Sequence, residues 1–441
     1  MQKFILSRTY FKFAFIVYAF INTLALGYLG VNINVLSIFM IIWGGIIVIV
    51  DSRHHEIDYH DSSFILIIGY GLILLLATIL NSYSTLKSFL MALLQLVIFF
   101  LIYGNKKSFT KDTITTELKT IIPLVNLLTG LAGMASLIMY IFKYTSSQNG
   151  WIVGMAGDRL FGVYFNCNPA SFLNAIVILL ALYALKHQYR FKRLYQLNII
   201  ILLLYIILTK CRAAIIILVL ITTVLIYQSF FKERQYSSIK KYFFSFAISI
   251  SIFIVSMIGA KGLSYLSGNH QETQSRFQLD KIIESVELIF HGDFQPSLDL
   301  IDQISSGRIE LLNTSMQIWQ TNPIIGIGAG NFQSVGINET NGNVVKQIQV
   351  VHSHNVLIEA LVTTGIIGAI IFISFVIKSI KEISHALKVN QQNHLYFSLL
   401  IFTLIVCSEL IGSLFDYGVF YTYSLSATLC WLFLGYLHRY K

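Results

Sequence analysis

Twelve apolar runs, each close to the roughly 20 residues a helix needs to cross a hydrocarbon core, constrain this chain more than any other feature. They cover about 13-30, 33-50, 64-80, 89-104, 121-142, 168-185, 196-209, 213-228, 243-260, 355-377, 395-413 and 418-437. Hydrocarbon offers a backbone no water to bond with, so each run must satisfy its own amides, and a helix does this within one segment. The expected fold class is all-α, a polytopic transmembrane helical bundle of about 12 spans. A chain that is 56% hydrophobic and 12% charged, with a mean hydropathy of +0.70, does not have the make-up of a water-soluble domain. Without internal repeats or low-complexity tracts, residues 1-441 read as a single integral membrane domain.

The net charge of +10 is spread in short basic clusters between the runs, which suits membrane topology and not a nucleic-acid-binding stripe. With the amino terminus in the cytoplasm, 21 of the 31 Lys and Arg fall on the termini and inner loops and 10 outside. The short inner loops holding Lys106, Lys107, Lys111 and Lys119, or Lys186, Arg190, Lys192 and Arg193, carry this positive-inside bias. Lys3, Arg8 and Lys12 precede the first run as in a signal peptide, but no small-residue cleavage site follows, so the run is expected to be a retained helix. Cys167, Cys211, Cys407 and Cys430 show neither a CxxC pair nor metal-ligand spacing, and buried packing is their expected role.

One outer segment is large. Residues 261-351 separate the ninth and tenth runs and contain eight of the chain's 21 acidic residues, between Glu272 and Glu310. Helix-like stretches (KIIESVELIF, GRIELLNTSMQIW) alternate there with turn signals (HGDFQPS, GIGAGN), which predicts an extracytoplasmic cap of short helices. In the second stretch Ile309, Leu312, Met316 and Trp319 recur at helical spacing, with Ser306 just before the helix. GIGAGNF lacks the Lys-Ser/Thr and the flanking strand of a phosphate-binding loop and reads as a tight turn.

Topology accounts for inner cations but gives no reason for Arg159, Arg212 and Arg308 on the outer side. Arg212 sits between two spans, where moving the charge toward the core costs about 2.5-3.5 kcal/mol. It either snorkels to lipid headgroups or meets an anion. Arg308 falls in the first turn of its predicted helix, where a cation opposes the helix dipole. It is either solvated there or holds an anion together with the free amides of that turn. His352, His354 and Asn355 stand where the outer loop re-enters the membrane, and an imidazole with a pKa near 6.5 suits a general base there. Structural packing and a His-x-His metal pair are the other readings, and the metal reading lacks a matched third ligand.

Four stretches, DRLFGVYFNCNPAS (158-171), LTKCRAA (208-214), GRIELLNTSMQIWQTNPIIGIGAGNF (307-332) and HSHNVLIEALVTTGIIG (352-368), together resemble the O-antigen ligase and O-antigen polymerase superfamily of bacterial membrane glycosyltransferases. The resemblance spans about half the chain and is most specific in the last two stretches. It implies that Arg212 and Arg308 grip the diphosphate of a polyprenyl-linked sugar donor and that His354 takes the proton of the acceptor hydroxyl. Arg159, Asn168, His352 and Asn355 are implied to lie in the substrate-binding shell. Cys211 stands where the family commonly has Ser, and NCNPAS departs from its usual Asn-Pro-Asn order. No metal and no cofactor are implied.

The function so implied is polymerisation of polyprenyl-diphosphate-linked repeat units of a capsule, exopolysaccharide or O-antigen, at the outer face of the bacterial cytoplasmic (inner) membrane, by an inverting, metal-independent glycosyltransferase with both termini inside. A ligase passing the finished glycan to lipid A-core, cell wall or protein is the alternative. The implied partners are the lipid-linked oligosaccharide donor, a glycan acceptor, membrane lipid, a flippase and a chain-length regulator, with no nucleic acid. A transporter or flippase would need ionisable residues at mid-membrane, whereas Glu409, Asp416 and Glu359 all fall near outer span ends. A non-catalytic scaffold is a further class.

Overall fold

The computed structural model describes residues 6–31, 34–148, 150–231, 238–266, 308–339, 351–415, 418–420 and 423–440. Fourteen helices occur among them. In chain order they are α1 (Arg8–Thr23), α2 (Asn34–Arg53), α3 (Ser62–Leu80), α4 (Leu86–Val97), α5 (Lys111–Ile141), α6 (Cys167–Lys186), α7 (Lys192–Thr209), α8 (Arg212–Ile226), α9 (Ser238–Leu266), α10 (Arg308–Thr321), α11 (Phe332–Asn338), α12 (Val356–Val389), α13 (Tyr396–Ser413) and α14 (Leu425–Leu437). Nine helices among the described residues are long and apolar enough to cross a membrane, α4 qualifying with its wide-turn extension Ile98–Tyr103 and α8 together with the residues after it. Helices α1, α9 and α14 fall on the three other predicted spans. The predicted helical bundle is thus the architecture seen.

The expected cap is described in part. Helices α10 and α11 lie within residues 261-351, while KIIESVELIF, HGDFQPS, Ser306 and the acidic residues from Glu272 to Asp302 fall outside the described residues. α10 buries Leu311, Thr314, Ser315 and Ile318, not the Ile309, Leu312, Met316 and Trp319 face expected from apolar spacing. Its hydroxyls can be buried because Thr314 and Ser315 donate to the carbonyls of Glu310 and Leu311 four residues back. A small core of Leu311, Ile318, Ile327, Phe332, Val335 and Val362 then joins α10, α11 and α12.

A three-stranded antiparallel sheet, β1 (Thr145–Gln148), β2 (Trp151–Ala156) and β3 (Arg159–Gly162), connects α5 to α6 and was not foreseen from the sequence. At the centre of the bundle stand α6, with 83% of its apolar window buried, and α14, whose 13 residues are all buried. Cys167, Cys211 and Cys430 pack in the interior as expected, but Cys407 is exposed on α13.

The first helix begins earlier than the apolar run 13-30, at Arg8, and ends at Thr23. Of the cations that precede the run, Arg8 and Lys12 are inside the protein, and Lys3 falls outside the described residues. Arg8 and Lys106 both pair with Asp51 of α2, and Lys12 pairs with Glu117 of α5 at 3.0 Å. Glu117 also accepts from Thr9 at 2.7 Å and from the Tyr436 hydroxyl, and Lys12 lies over the rings of Phe109 and Tyr436. Each charge is offset locally, which lets the helix carry two cations into the bundle.

Leaving one member of such a buried pair alone costs about 3–5 kcal/mol. Glu117→Ala is therefore expected to lower the thermal unfolding temperature of the detergent-solubilised protein sharply, and Lys12→Met combined with Glu117→Leu to recover most of the loss. A single mutant as stable as the parent would show that the pair does not hold α1 to α5.

Candidate functional site

At one end of the bundle the sheet delivers Arg159 to the corner between α7 and α8. Its Nε donates to the Thr209 carbonyl at 2.8 Å and its Nη2 to Asn168 Oδ1 at 2.7 Å. Asn168 is fixed in the first turn of α6, where its amide donates to the capping Asn166 side chain, and Ser171 of the next turn meets the Thr209 hydroxyl at 2.8 Å. The corner is sharp: Lys210 takes a left-handed backbone (φ 53) and pairs with Asp158, and Arg212 opens α8 with its side chain exposed. Cys211 makes no side-chain cap to α8, so the first amides of that helix face the same surface as the guanidinium. A serine, the residue commonly found here in the resembling family, would be suited to cap them.

The second half of the site rests on a break in α12. Gly365 has φ 61 and ψ −167 inside an otherwise helical run, which frees the carbonyls and amides around it. The stretch Asn322-Pro-Ile-Ile-Gly-Ile-Gly328 fills the gap with main chain. The Val362 and Thr363 carbonyls accept from Ile327 and Gly328, at 3.0 and 2.9 Å, and the Ile366 amide donates to the Pro323 carbonyl at 2.9 Å. A Cβ at Gly365 would stand 2.2 Å from the Ile324 carbonyl oxygen, and one at Gly326 would stand 2.4 Å from the Gly365 nitrogen, so both positions require glycine. GIGAGNF is indeed a turn, with Gly326, Gly328 and Gly330 all at positive φ. It is anchored to α3 by the Ala329 amide on Thr78 and by Asn81 on the Ile327 carbonyl.

About three helical turns before the break, the chain makes the corner that carries the histidines. Asn355 caps α12, its Oδ1 accepting from Leu357 and Ile358 at 3.0 and 3.2 Å, while its Nδ2 donates to the Leu414 carbonyl at the end of α13. The next carbonyl, that of Phe415, accepts from Arg308 Nη2 at 2.9 Å, and the guanidinium lies 5.1 Å from the Phe415 ring centroid. This acceptor explains how α10 tolerates a cation in its first turn. His354 has a left-handed backbone (φ 52), and its amide donates to Nδ1 of His352 at 3.2 Å, the two rings being 3.9 Å apart. His352 is buried, and that burial pushes its pKa well below the ordinary imidazole value, so it stays neutral. His354 is part exposed beside it.

The two halves meet through α13. Gly412 of α13 packs against Phe172 of α6, one turn beyond Asn168, and two residues later Leu414 and Phe415 receive Asn355 and Arg308. Arg159, Asn168 and Arg212 thus occupy the same end of the bundle as Arg308, His352, His354 and Asn355. An apolar cavity of about 200 Å³ opens between α12, α13 and α14, lined by Phe372, Ile383, Thr403, Leu410 and Trp431, and its α12 wall lies in the half of that helix remote from Asn355. Among the described residues no group of three or more His, Cys, Asp or Glu gathers as a metal site would need. The sequence did not reveal Thr209, Ser353, Leu414 or Phe415, which contribute main-chain groups. The break at Gly365 left only one trace, a glycine within an unbroken apolar run.

A polytopic helical membrane protein with cationic groups and an imidazole at one end is the class that fold and site define. Residues 197–373 match the family described as O-antigen ligase, which supports a place for this part of the chain among the membrane enzymes of the O-antigen ligase and polymerase superfamily. The match covers Arg212, Arg308, His352, His354 and Asn355 and stops short of Arg159 and Asn168. No curated protein matches the chain.

If the stitched break sets the site, Gly365→Ala and Gly326→Ala should each lower the thermal stability of the purified protein by about 1–3 kcal/mol, the range for a strained backbone. Gly69→Ala, whose Cβ meets open space, should be neutral. Equal stabilities for all three would contradict the packing described.

Proposed function

We propose that this chain is a membrane glycosyltransferase that joins polyprenyl-diphosphate-linked oligosaccharide units at the outer face of the cytoplasmic membrane. The observation that carries the reading is the tie of Arg308 and the His354 corner to neighbouring carbonyls of one helix end, with α6, whose Asn168 and Ser171 join Arg159 and Thr209 beside Arg212, packed on that helix. The family match implies lipid-linked glycan substrates. Such a donor carries an anionic head, which guanidiniums at one end of a membrane bundle suit.

In the proposed reaction the acceptor hydroxyl gives its proton to His354 as its oxygen attacks the anomeric carbon. The bond from that carbon to the diphosphate breaks, and the diphosphate leaves with the electron pair. Arg212 and Arg308 offset the charge growing on its oxygens, which requires no metal. Attack opposite the leaving group inverts the anomeric centre. Arg159 holds Asn168 and the Thr209 carbonyl, so its part is to shape the wall beside Arg212. Asn355 and His352 frame the base.

Ligation is the second reading. It is favoured by the description of the matched family, and it uses the same donor with a different acceptor. Deletion with complementation separates the two: single repeat units on the acceptor indicate a lost polymerase, and full-length glycan stranded on the lipid carrier a lost ligase. In that assay His354→Ala is expected to reduce product by about 10²–10⁴-fold, the usual contribution of a general base. Arg308→Ala should likewise leave little product. Full glycan length in the His354→Ala strain would refute the mechanism.

A further inference from the structure

We infer that Glu359 is the positioning carboxylate of His354, holding the loop from which the imidazole meets the acceptor proton. This rests on the reading of His354 as the base.

Glu359 lies in the first turn of α12 and is 2% exposed. Both donors of Ser353, the amide and the hydroxyl, reach its Oε2 at 2.8 Å. Ser353 immediately precedes His354, whose left-handed φ of 52 is costly for a residue with a side chain and persists only if its neighbours enforce it. Three contacts do so: Glu359 on Ser353, the Ser353 hydroxyl on the Asn355 carbonyl at 3.0 Å, and the His354 amide on His352 Nδ1. The last contact makes Nδ1 of His352 an acceptor, so that its ring proton sits on Nε2. In the first turn of α12 a carboxylate suits the helix dipole, and the convergence of both Ser353 donors on one of its oxygens ties it to the loop that carries His354.

Glu359→Gln keeps an oxygen for both Ser353 donors, whereas Glu359→Ala leaves them without one. The readout is turnover, by the full-length protein in nanodiscs, of lipid-linked oligosaccharide extracted from a deletion strain. Glu359→Ala is expected to lower kcat by about tenfold or more with KM within about twofold, and Glu359→Gln to restore most of it. Ser353→Ala, which keeps the amide donor, should give a smaller loss of kcat and serves if the Glu359→Ala protein does not fold. Parental kcat in Glu359→Ala or Ser353→Ala, or a glutamine variant as impaired as the alanine one, would overturn the assignment. An active His354→Ala protein would instead remove the base reading.

Discussion

The main-chain pairing of the 323–328 loop with the break in α12 is the interaction on which the rest of this end of the molecule depends. A helix interrupted within a membrane leaves carbonyls and amides without partners, each costing several kcal/mol in hydrocarbon. Here the loop supplies them, and its glycines allow the two backbones to approach without side chains between them. The consequence is geometric. The pairing ties α10, which carries Arg308, to α12, which carries the histidine corner, and anchors both to α3 through Thr78 and Asn81. The end of α13 then accepts hydrogen bonds from both.

Charges are used differently elsewhere in the bundle. Arg8, Lys12, Asp51, Lys106 and Glu117 neutralise one another within α1, α2, α5 and the adjoining loop, and they fix helix positions. At the candidate site the guanidiniums of Arg159 and Arg308 are held by carbonyl and amide oxygens. A guanidinium carries five donors, so one or two such contacts orient it without exhausting its donors. That arrangement suits an anionic ligand that comes and goes, whereas a buried ion pair suits permanence.

Much of this was legible in the sequence because a bilayer permits so few structures. Each of the twelve apolar runs overlaps a helix, and Arg212, Arg308 and His354 stood out as polar groups that topology did not need. What was hidden has physical reasons. Arg8 and Lys12 looked like flanking charges because their partners are 43 and 105 residues away. The strands of the sheet are four to six residues long, too short to show alternation between two strong helical runs. The face of α10 was misassigned because apolar spacing overlooks Thr314 and Ser315, and Leu312 is left 43% exposed. Asn355 reads as a ligand by type, whereas in the structure both ends of its amide hold main chain.

The central claim is that Arg212, Arg308 and His354 serve one diphosphate-bearing lipid. An electron cryomicroscopy structure of the protein with a polyprenyl diphosphate bound tests it most directly. The account predicts phosphate oxygens at hydrogen-bond distance, about 2.7–2.9 Å, from both guanidiniums, with the His354 ring turned toward the departing oxygen. A headgroup bound at the opposite end of the bundle, or held by neither arginine, would contradict it.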